Sequence, residues 1–241
     1  MIIYPAIDII DGKCVRLTKG DYSQKTVYSD NLEDIAKNWI EAGSKYLHIV
    51  DLDGAKTGKT VNFEKIIAIR KLFPEIFIQV GGGIRDIASI EKYLSHGINR
   101  IILGTKILKN KEFIHKLDNN MRKYIAIDIA INDGALAGDG WENTESEDVA
   151  SFIKFLESHN IKMFVITDVS KDGMMQGINN NSIEFVLKSV TTKAIISGGV
   201  TTKEDVQNIL GMNKSIVDGM IIGKALYEQS ISLTEVINEC R

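Results

Sequence analysis

Short apolar runs recur along the whole chain, and most of them are rich in β-branched residues. Each run is nearly continuous in apolar residues, which is typical of strands buried on both faces, as in a parallel sheet. Eight such runs predict strands at Ile2–Ile9, Tyr46–Asp51, Ile76–Gly81, Arg100–Gly104, Tyr124–Ile129, Met163–Asp168, Lys193–Gly198 and Gly219–Gly223.

Amphipathic segments lie between these runs and predict helices. Asp30 is expected to cap a helix that runs towards Ala42, and Asp86 is expected to cap one over Ile87–His96. The other helical patterns cover Phe63–Phe73 after a capping Asn62, Lys111–Leu117, Glu147–His159, Ser182–Ser189, Lys203–Leu210 and Leu233–Glu239.

Strands and helices are thus predicted to alternate eight times over 241 residues. Each unit has about 30 residues, which is the size of a βαβ repeat. Eight such units predict one α/β domain, a (β/α)₈ TIM barrel that occupies residues 1–241. An open, doubly wound sheet is the alternative. It would more often carry a glycine-rich dinucleotide turn after the first strand, and this sequence has none there.

The two halves of the chain resemble each other at a separation of about 116 to 120 residues. The matching segments are QVGGGIR (79–85) with ISGGVTT (196–202), IILGTKIL (101–108) with MIIGKALY (220–227), and HIVDLDGAKTG (48–58) with VITDVSKDGMMQG (165–177). The repeat predicts two half-barrels of four βα units each, at about 1–120 and 121–241.

Four of the predicted strands end in or beside aspartates, and the other four end in glycines. The aspartates are Asp8, Asp51, Asp128 and Asp168, and the glycines are Gly81–Gly83, Gly104, Gly198–Gly199 and Gly223. Active sites of barrels lie at the carboxyl ends of the strands, so these residues are expected at one mouth. Glycines let backbone N–H groups approach a ligand, and the following helix contributes the positive end of its dipole. We therefore expect two phosphate sites on opposite sides of the mouth, with aspartates between them. The matching ligand has a phosphate at each end.

Single residues of these types have simpler explanations. A glycine that ends a strand is often only part of a turn, and a lone aspartate there is often a helix cap or a turn residue. Asp11, Asp53 and Asp133 each precede a glycine and are predicted to be turn residues. Asp8 differs, because an apolar strand leads directly into it, so its carboxylate is expected to face the mouth.

Composition excludes several classes of protein. The net charge of −3 argues against a nucleic-acid surface, which usually carries a basic patch. Cys14 and Cys240 have no metal-binding spacing, and reduced thiols are expected. The N-terminus has no signal-peptide pattern, and no apolar run has the roughly 18 residues that a membrane span needs. We expect a cytoplasmic monomer that needs no cofactor or metal and contacts neither nucleic acid nor membrane.

The motifs resemble those of the phosphoribosylformimino-5-aminoimidazole carboxamide ribotide isomerase family of histidine biosynthesis. The resemblance covers the whole length. It is carried by PAIDIIDGKCVRLTKGDY (5–22), LHIVDLDGAKTG (47–58), VGGGIR (80–85), TDVSKDGMMQG (167–177), SGGV (197–200) and IIGKALYE (221–228). The sister cyclase shares the half-barrel repeat but differs in its N-terminal motif.

The resemblance implies an aldose–ketose isomerase, an intramolecular oxidoreductase that performs an Amadori-type rearrangement on a bis-phosphorylated small molecule. Asp8 matches the family's general base and Asp128 the proposed general acid, and Asp172 is a rival for the acid. Thr167 is expected near the ring oxygen that the acid protonates.

The remaining implied residues bind the substrate. One phosphate site would comprise Gly81, Gly82, Gly83, Arg85, Gly104 and Thr105; the other would comprise Gly173, Gly177, Gly198, Gly199, Gly223 and Lys224; and Arg16, His48 and Trp141 would lie near the ligand. Trp141 would stack on the flat imidazole.

The sequence departs from the family pattern before the Gly140–Trp141 pair, where Asp139 replaces the usual basic residue. Two other functions stay open at this point. One is phosphoribosylanthranilate isomerase activity, instead of the main activity or beside it. The dedicated enzyme for that step usually has a cysteine where this chain has Asp8. The other is a non-catalytic sensor of phosphorylated metabolites.

Overall fold

A closed barrel of parallel strands forms the centre of the protein in a computed structural model, which describes residues 1–104, 110–132, 135–138, 143–144 and 148–241. Among these residues, eight parallel strands pair in a ring, and the pairing of the fifth with the sixth barrel strand closes it. Helices lie between successive strands. The predicted (β/α)₈ barrel is confirmed.

The barrel strands are β1 (Ile2–Ile10), β4 (Tyr46–Asp51), β5 (Phe77–Gly81), β6 (Arg100–Leu103), β7 (Ile125–Asn132), β10 (Met163–Asp168), β11 (Lys193–Ser197) and β12 (Val217–Ile222). Antiparallel strands β2 (Lys13–Thr18), β3 (Asp21–Ser29), β8 (Ala135–Gly138) and β9 (Asn143–Thr144) extend the sheet beyond the ring. The helices described are α1 (Leu32–Glu41), α2 (Leu52–Thr57), α3 (Phe63–Leu72), α4 (Ile87–Ser95), α5 (Phe113–Lys116), α6 (Asn119–Arg122), α7 (Val149–Ser158), α8 (Asn180–Leu187), α9 (Lys203–Gly211), α10 (Lys224–Tyr227) and α11 (Leu233–Glu239).

Two apolar layers stabilise the barrel. The larger layer lies between the outer faces of the strands and the helices, and it includes Ile7, Ile49 and Ile127. The smaller layer fills the barrel interior; its buried members are Tyr4, Ala6, Ile102, Ala126, Val165, Ile195 and Ile221. The continuous apolar runs of the strands are explained by this arrangement, because alternate residues enter the two layers.

Two predicted caps differ from the structure. The helix expected after Asp30 begins one residue later, because Asn31 is its N-cap and accepts hydrogen bonds from the backbone of Glu33 and Asp34. Asp30 instead forms an ion pair with Lys13 at 2.7 Å. Asn62 does precede α3, but its side chain forms no capping hydrogen bond.

Asp53 is not the turn residue that the sequence predicted. It lies in the first turn of α2, and its carboxylate accepts hydrogen bonds from the backbone N–H of Asp11 at 2.7 Å and the side chain of Asn62 at 2.8 Å. Asp11 is in a turn, with a φ of 53°. Asp133 lies outside the described residues.

The hairpin β2–β3 was not predicted, and it covers part of the mouth. β2 pairs antiparallel with the end of β1, with Asp8 opposite Val15. The backbone N–H of Lys19, at the hairpin's tip, donates to the carbonyl of Asp172 at 3.1 Å. The hairpin therefore connects the first barrel strand to the loop that follows β10, on the far side of β12 and β11.

Candidate active site

The two aspartates predicted to be catalytic face each other across the mouth. Asp8 lies near the carboxyl end of β1, and Asp128 lies in the middle of β7. These strands are four positions apart in the closed ring of eight, so they are on opposite sides of the barrel. Asp8 shares the inward face of β1 with Tyr4 and Ala6, and Asp128 shares that of β7 with Ala126.

Arg16 supplies a cation to Asp8. The guanidinium, placed by β2, lies 2.8 Å from the Asp8 carboxylate, and both side chains are buried. Burial raises the pKa of Asp8 to about 6, against an opposing effect of Arg16 and with a further rise from Asp172. A buried carboxylate with an arginine partner keeps its charge more readily than one without. Asp8 is therefore suited to accept a proton near neutral pH.

Asp128 has a different environment. Thr167 Oγ1 donates a hydrogen bond of 2.7 Å to its carboxylate. Within the described ranges, no lysine or arginine forms an ion pair with it. Burial raises the pKa of Asp128 to about 6; the Thr167 hydrogen bond lowers it, and the charge of Asp172 raises it. A half-buried carboxyl that has only a hydroxyl donor is suited to hold a proton and then donate it.

Asp172, the rival acid, lies close enough to affect both carboxyls. Its carboxylate is 3.8 Å from Arg16, whose other nitrogen contacts Asp8. Burial raises the pKa of Asp172, whereas Arg16 and Lys224 lower it. Two cations near Asp172 favour its ionised form. The environment of Asp128 is therefore the better one for a general acid.

His48 lies in the barrel interior on β4, below the two aspartates. Its Nδ1 atom is 3.0 Å from the side-chain amide of Gln79 on the neighbouring strand. Burial and the positive charge of Arg16 lower the pKa of His48 to about 3. The residue is a neutral imidazole at physiological pH, so it can offer a hydrogen bond but no charge.

The glycines of the first predicted phosphate site lie where β5 ends. Gly82 has a φ of 94°, and a Cβ atom there would lie 2.1 Å from the carbonyl oxygen of Asp51. Only glycine fits such a backbone. Arg85 follows on the surface, where it donates to the carbonyl of Ala55 at 2.8 Å. Gly104, at the end of β6, is next to Asp128. Thr105 lies outside the described residues.

The glycines of the second predicted site meet around a small cavity that is partly open to solvent. Of the predicted residues, the lining includes Arg16, Asp172, Gly173, Gly198, Gly199, Gly223 and Lys224. Gly177 lies behind this lining, and its carbonyl oxygen is 2.6 Å from where a Cβ atom of Gly199 would stand. Two lysines, Lys171 and Lys224, give the cavity positive charge.

Gly198 repeats the geometry of Gly82. Its φ is 86°, and a Cβ atom there would lie 2.4 Å from the carbonyl oxygen of Asp168, the last residue of β10. Asp168 thus stands to Gly198 as Asp51 stands to Gly82. The structure thus pairs Gly82 with Gly198, one residue away from the match of 79–85 with 196–202, in which Gly198 is opposite Gly81.

Asp51 and Asp168 do not lie between the phosphate sites, so that part of the prediction is wrong. Both are fully buried and hold loop backbone. Asp51 accepts hydrogen bonds from Gly54 N at 2.8 Å and from Asn62 N at 2.9 Å. Asp168 accepts from Ser170 N at 3.0 Å and from Ser170 Oγ at 2.6 Å. Each follows a residue that faces the barrel axis, Val50 or Thr167, so each itself faces away from the axis.

Gly223 has a role that sequence reasoning did not assign. A Cβ atom there would lie 2.3 Å from the guanidinium of Arg16, so glycine makes room for the cation beside Asp8. Gly173 likewise lets the backbone of Leu17 approach. Lys171 and Ser197 also line the cavity and were missed. The sequence placed Ser197 next to the end of its strand and Lys171 in the turn after β10, and both lie in the motifs that carry the family resemblance, which was the available signal.

Some expectations fall on residues outside those described. Trp141, predicted to stack on the imidazole, is one of them, as is the neighbouring Asp139. Among the residues that are described, no helix is long and apolar enough to cross a membrane. Nor does this part of the chain contain a group of three or more His, Cys, Asp or Glu residues arranged to hold a metal ion.

Comparisons with known proteins agree with this geometry. A family model described as "Histidine biosynthesis protein" matches residues 2–232. The chain is 45% identical to a protein of Oceanobacillus iheyensis over 98% of this chain and 97% of the relative. It is 44% identical to one of Ruminiclostridium cellulolyticum over 98% and 99%, and 40% identical to one of Thioalkalivibrio sulfidiphilus over 98% and 97%. All three are named 1-(5-phosphoribosyl)-5-((5-phosphoribosylamino)methylideneamino)imidazole-4-carboxamide isomerase. The chain belongs to the histidine biosynthesis protein family.

Proposed function

We propose that the protein isomerises the bis-phosphorylated substrate named in its relatives, converting the aldose form of one ribose to the ketose form. The observation that carries the proposal is a pair of opposed aspartates between two strand-end glycine motifs. Such a mouth suits a long molecule with a phosphate at each end and its reacting carbon atoms in the middle.

The reaction needs one acid and one base. Asp128 protonates the furanose ring oxygen, the C1–O bond breaks, and the ring opens to a Schiff base. Asp8 then removes the proton from C2, which gives an enolamine. The enolamine then gains a proton on C1 and loses the proton of its C2 hydroxyl, which gives the ketone. Two protons are added and two are removed, so no atoms are gained or lost. The Thr167 hydroxyl, which donates to Asp128, is placed to hold that carboxyl at the ring oxygen.

The environments of the two carboxyls support these roles. Arg16 stabilises the ionised form of Asp8, as a base requires. Asp128 has no such cation among the described residues, as an acid near neutral pH requires. Asp172 next to Arg16 would hold the charge of that guanidinium in place.

The glycine motifs are proposed to bind the two phosphates through backbone N–H groups. Gly81–Gly83 with Arg85, Gly104 and Thr105 would bind one, and the cavity near Gly198–Gly199 and Gly223–Lys224 would bind the other. The positive charges of Lys171 and Lys224 support the second assignment. We further propose a cytoplasmic monomer of one domain, built from two half-barrels at about 1–120 and 121–241.

Turnover of the bis-phosphorylated substrate tests the proposal, with detection coupled to the cyclase of the same pathway. The wild type is expected to turn over, and Asp8→Asn is expected to lose about 10²- to 10⁴-fold in kcat while still binding. Asp30→Asn, an equally conservative change at an exposed ion pair, is the matched control and should keep full activity. A wild type without turnover would contradict the function.

The same assay separates the two candidate acids. Asp128→Asn removes the proposed proton donor and should also lower kcat by about 10²- to 10⁴-fold. Asp172→Asn should retain most of kcat and shift the pH optimum downwards, because the Asp172 charge raises the pKa of Asp8 and Asp128. A greater loss of kcat in Asp172→Asn than in Asp128→Asn would reverse the assignment.

A further inference from the structure

Three polar side chains form a ladder across neighbouring strands inside the barrel. Arg100 on β6 is the register partner of Gln79 on β5, and Gln79 is the register partner of His48 on β4. Arg100 begins its strand at the floor of the barrel, whereas His48 is two residues before Val50, the register partner of Asp8. The ladder therefore rises from the floor towards the mouth.

Hydrogen bonds connect the three side chains in one direction. Arg100 Nη1 donates to the Gln79 side-chain oxygen at 3.0 Å, and the Gln79 amide nitrogen lies 3.0 Å from His48 Nδ1. Arginine has only donors, so the Gln79 atom that faces it must be the oxygen. The other amide atom is then the nitrogen, which also only donates. Consequently His48 Nδ1 must accept, and the ring proton must be on Nε2.

We propose that Gln79, oriented by Arg100, is a positioning residue that fixes His48 as the Nε2–H tautomer and so makes it a hydrogen-bond donor to the ligand in the mouth. The tautomer of an imidazole is set by the partner of its other nitrogen. Here that partner is an amide whose orientation is set by a permanent cation. The low pKa of His48 agrees with a ring that stays neutral.

The position of His48 indicates where its free N–H is used. Three aromatic rings pack beneath it and fill the floor of the barrel. Tyr4 contacts Tyr46 edge to face with ring centroids 5.3 Å apart, and Tyr46 contacts Phe77 in a tilted arrangement at 5.5 Å. The 8% of His48 that remains exposed is therefore open towards the mouth. No described residue accepts a hydrogen bond from His48 Nε2. The acceptor is a ligand oxygen; its assignment to a ribosyl phosphate or hydroxyl oxygen rests on the proposed function.

The tautomer is measured directly by long-range ¹H–¹⁵N correlation NMR on the full chain labelled with ¹⁵N-histidine and free of ligand. His48, identified by its loss in His48→Gln, is expected to be the Nε2–H form. Two other histidines are internal references, because Nδ1 of His96 and of His159 lies 2.8 Å from a backbone carbonyl and must carry the proton. A wild-type spectrum with His48 in the Nδ1–H form would overturn the proposal without any variant.

Gln79→Glu adds a causal test in nearly the same volume. The carboxylate can accept from Arg100 and from His48 Nδ1–H, so His48 should change to the Nδ1–H or doubly protonated form while His96 and His159 stay unchanged. KM should rise up to about tenfold with little change in kcat, as expected for the loss of one neutral hydrogen bond to bound substrate. An unchanged His48 signal in folded Gln79→Glu would refute the inference. Failure of the proposed function would remove the kinetic result but leave the NMR result intact.

Discussion

Replacing Asp128 with asparagine should stabilise the protein at high pH, because Asp128 is ionised at a cost in the folded state. Its pKa is about 6 when folded, against an ordinary value of 3.8. Each pKa unit corresponds to about 1.4 kcal/mol, so full ionisation costs up to about 3 kcal/mol. The carboxyl keeps some contact with solvent, and we therefore expect a gain of about 1–3 kcal/mol in the asparagine variant at pH 8. Thr167 can still donate to the asparagine oxygen.

The pH dependence follows from the sign of the shift. A raised folded pKa means that the contribution of Asp128 to stability is fully present below about pH 4 and is lost as the pH rises through 6. The advantage of Asp128→Asn over the wild type should therefore grow between pH 5 and pH 8. In a chain of 241 residues, 1–3 kcal/mol corresponds to a rise in Tm of about 2–12 °C at pH 8.

Asp8→Asn is the matched control for this measurement. It removes a carboxylate with a similarly raised pKa but leaves the buried Arg16 without its 2.8 Å partner. Breaking a buried ion pair in this way typically costs about 3–5 kcal/mol. Removing a carboxylate with this raised pKa offsets up to about 3 kcal/mol of that cost, so Asp8→Asn should not show the rise in Tm that is expected of Asp128→Asn at pH 8. The measurement is the Tm of the wild type and of both asparagine variants in thermal unfolding at pH 5 and at pH 8. A fall in Tm for Asp128→Asn at pH 8 would refute the reasoning, since it would mean that its charge is stabilised.

Two further predictions concern Arg16 and the strand-end glycines. Arg16→Met should raise the acidic midpoint of the pH profile of kcat/KM by about one to three pH units, because the cation lowers the pKa of Asp8. An unchanged midpoint would mean that Asp8 is not the general base. Gly82→Ala should destabilise the protein by about 3 kcal/mol or more, since its φ is positive and the new Cβ would overlap backbone. Gly211→Ala, with open space around it, should change the free energy of unfolding by under about 1 kcal/mol, and denaturant unfolding of both variants checks the contrast.

The barrel strands were predictable because burial on both faces leaves a direct record in the sequence. Ile2–Ile10 and Met163–Asp168 are almost wholly apolar until the aspartates at their ends. The same reasoning placed Asp8 and Asp128 at the mouth. It failed for Asp51 and Asp168. Successive side chains of a strand point alternately towards the barrel axis and away from it, and a continuous apolar run does not show which residues point inwards.

The hairpin β2–β3 was missed although its turns were visible. Asp11–Gly12 and Lys19–Gly20 each join paired strands, and all four residues have positive φ, as two-residue hairpin turns of this kind require. An Asp-Gly pair between apolar segments is a strong hairpin signal. The second strand of the hairpin, β3, was not recognised as a strand, because its residues are mostly polar and exposed and form no apolar face.

The missed hairpin is also what distinguishes the two carboxyls. Both aspartates are found from strand patterns, and both have pKa values of about 6. They differ because Asp8 has a cation beside it. That cation is Arg16, which contacts Asp8 because β2 folds back along β1. In the second half, β8 also folds back along its strand, but its turn-closing pair lies four residues after Asp128 and the pairing stops three residues short of that aspartate. In the first half, the turn-closing pair lies two residues after Asp8, and the pairing of β1 with β2 extends back to Asp8 itself. A turn that lies two residues further along the strand leaves the inward direction of the aspartate unchanged. It places the second strand of the hairpin further from the carboxyl group. The assignment of base and acid therefore depends on hairpin register, which strand periodicity alone does not contain.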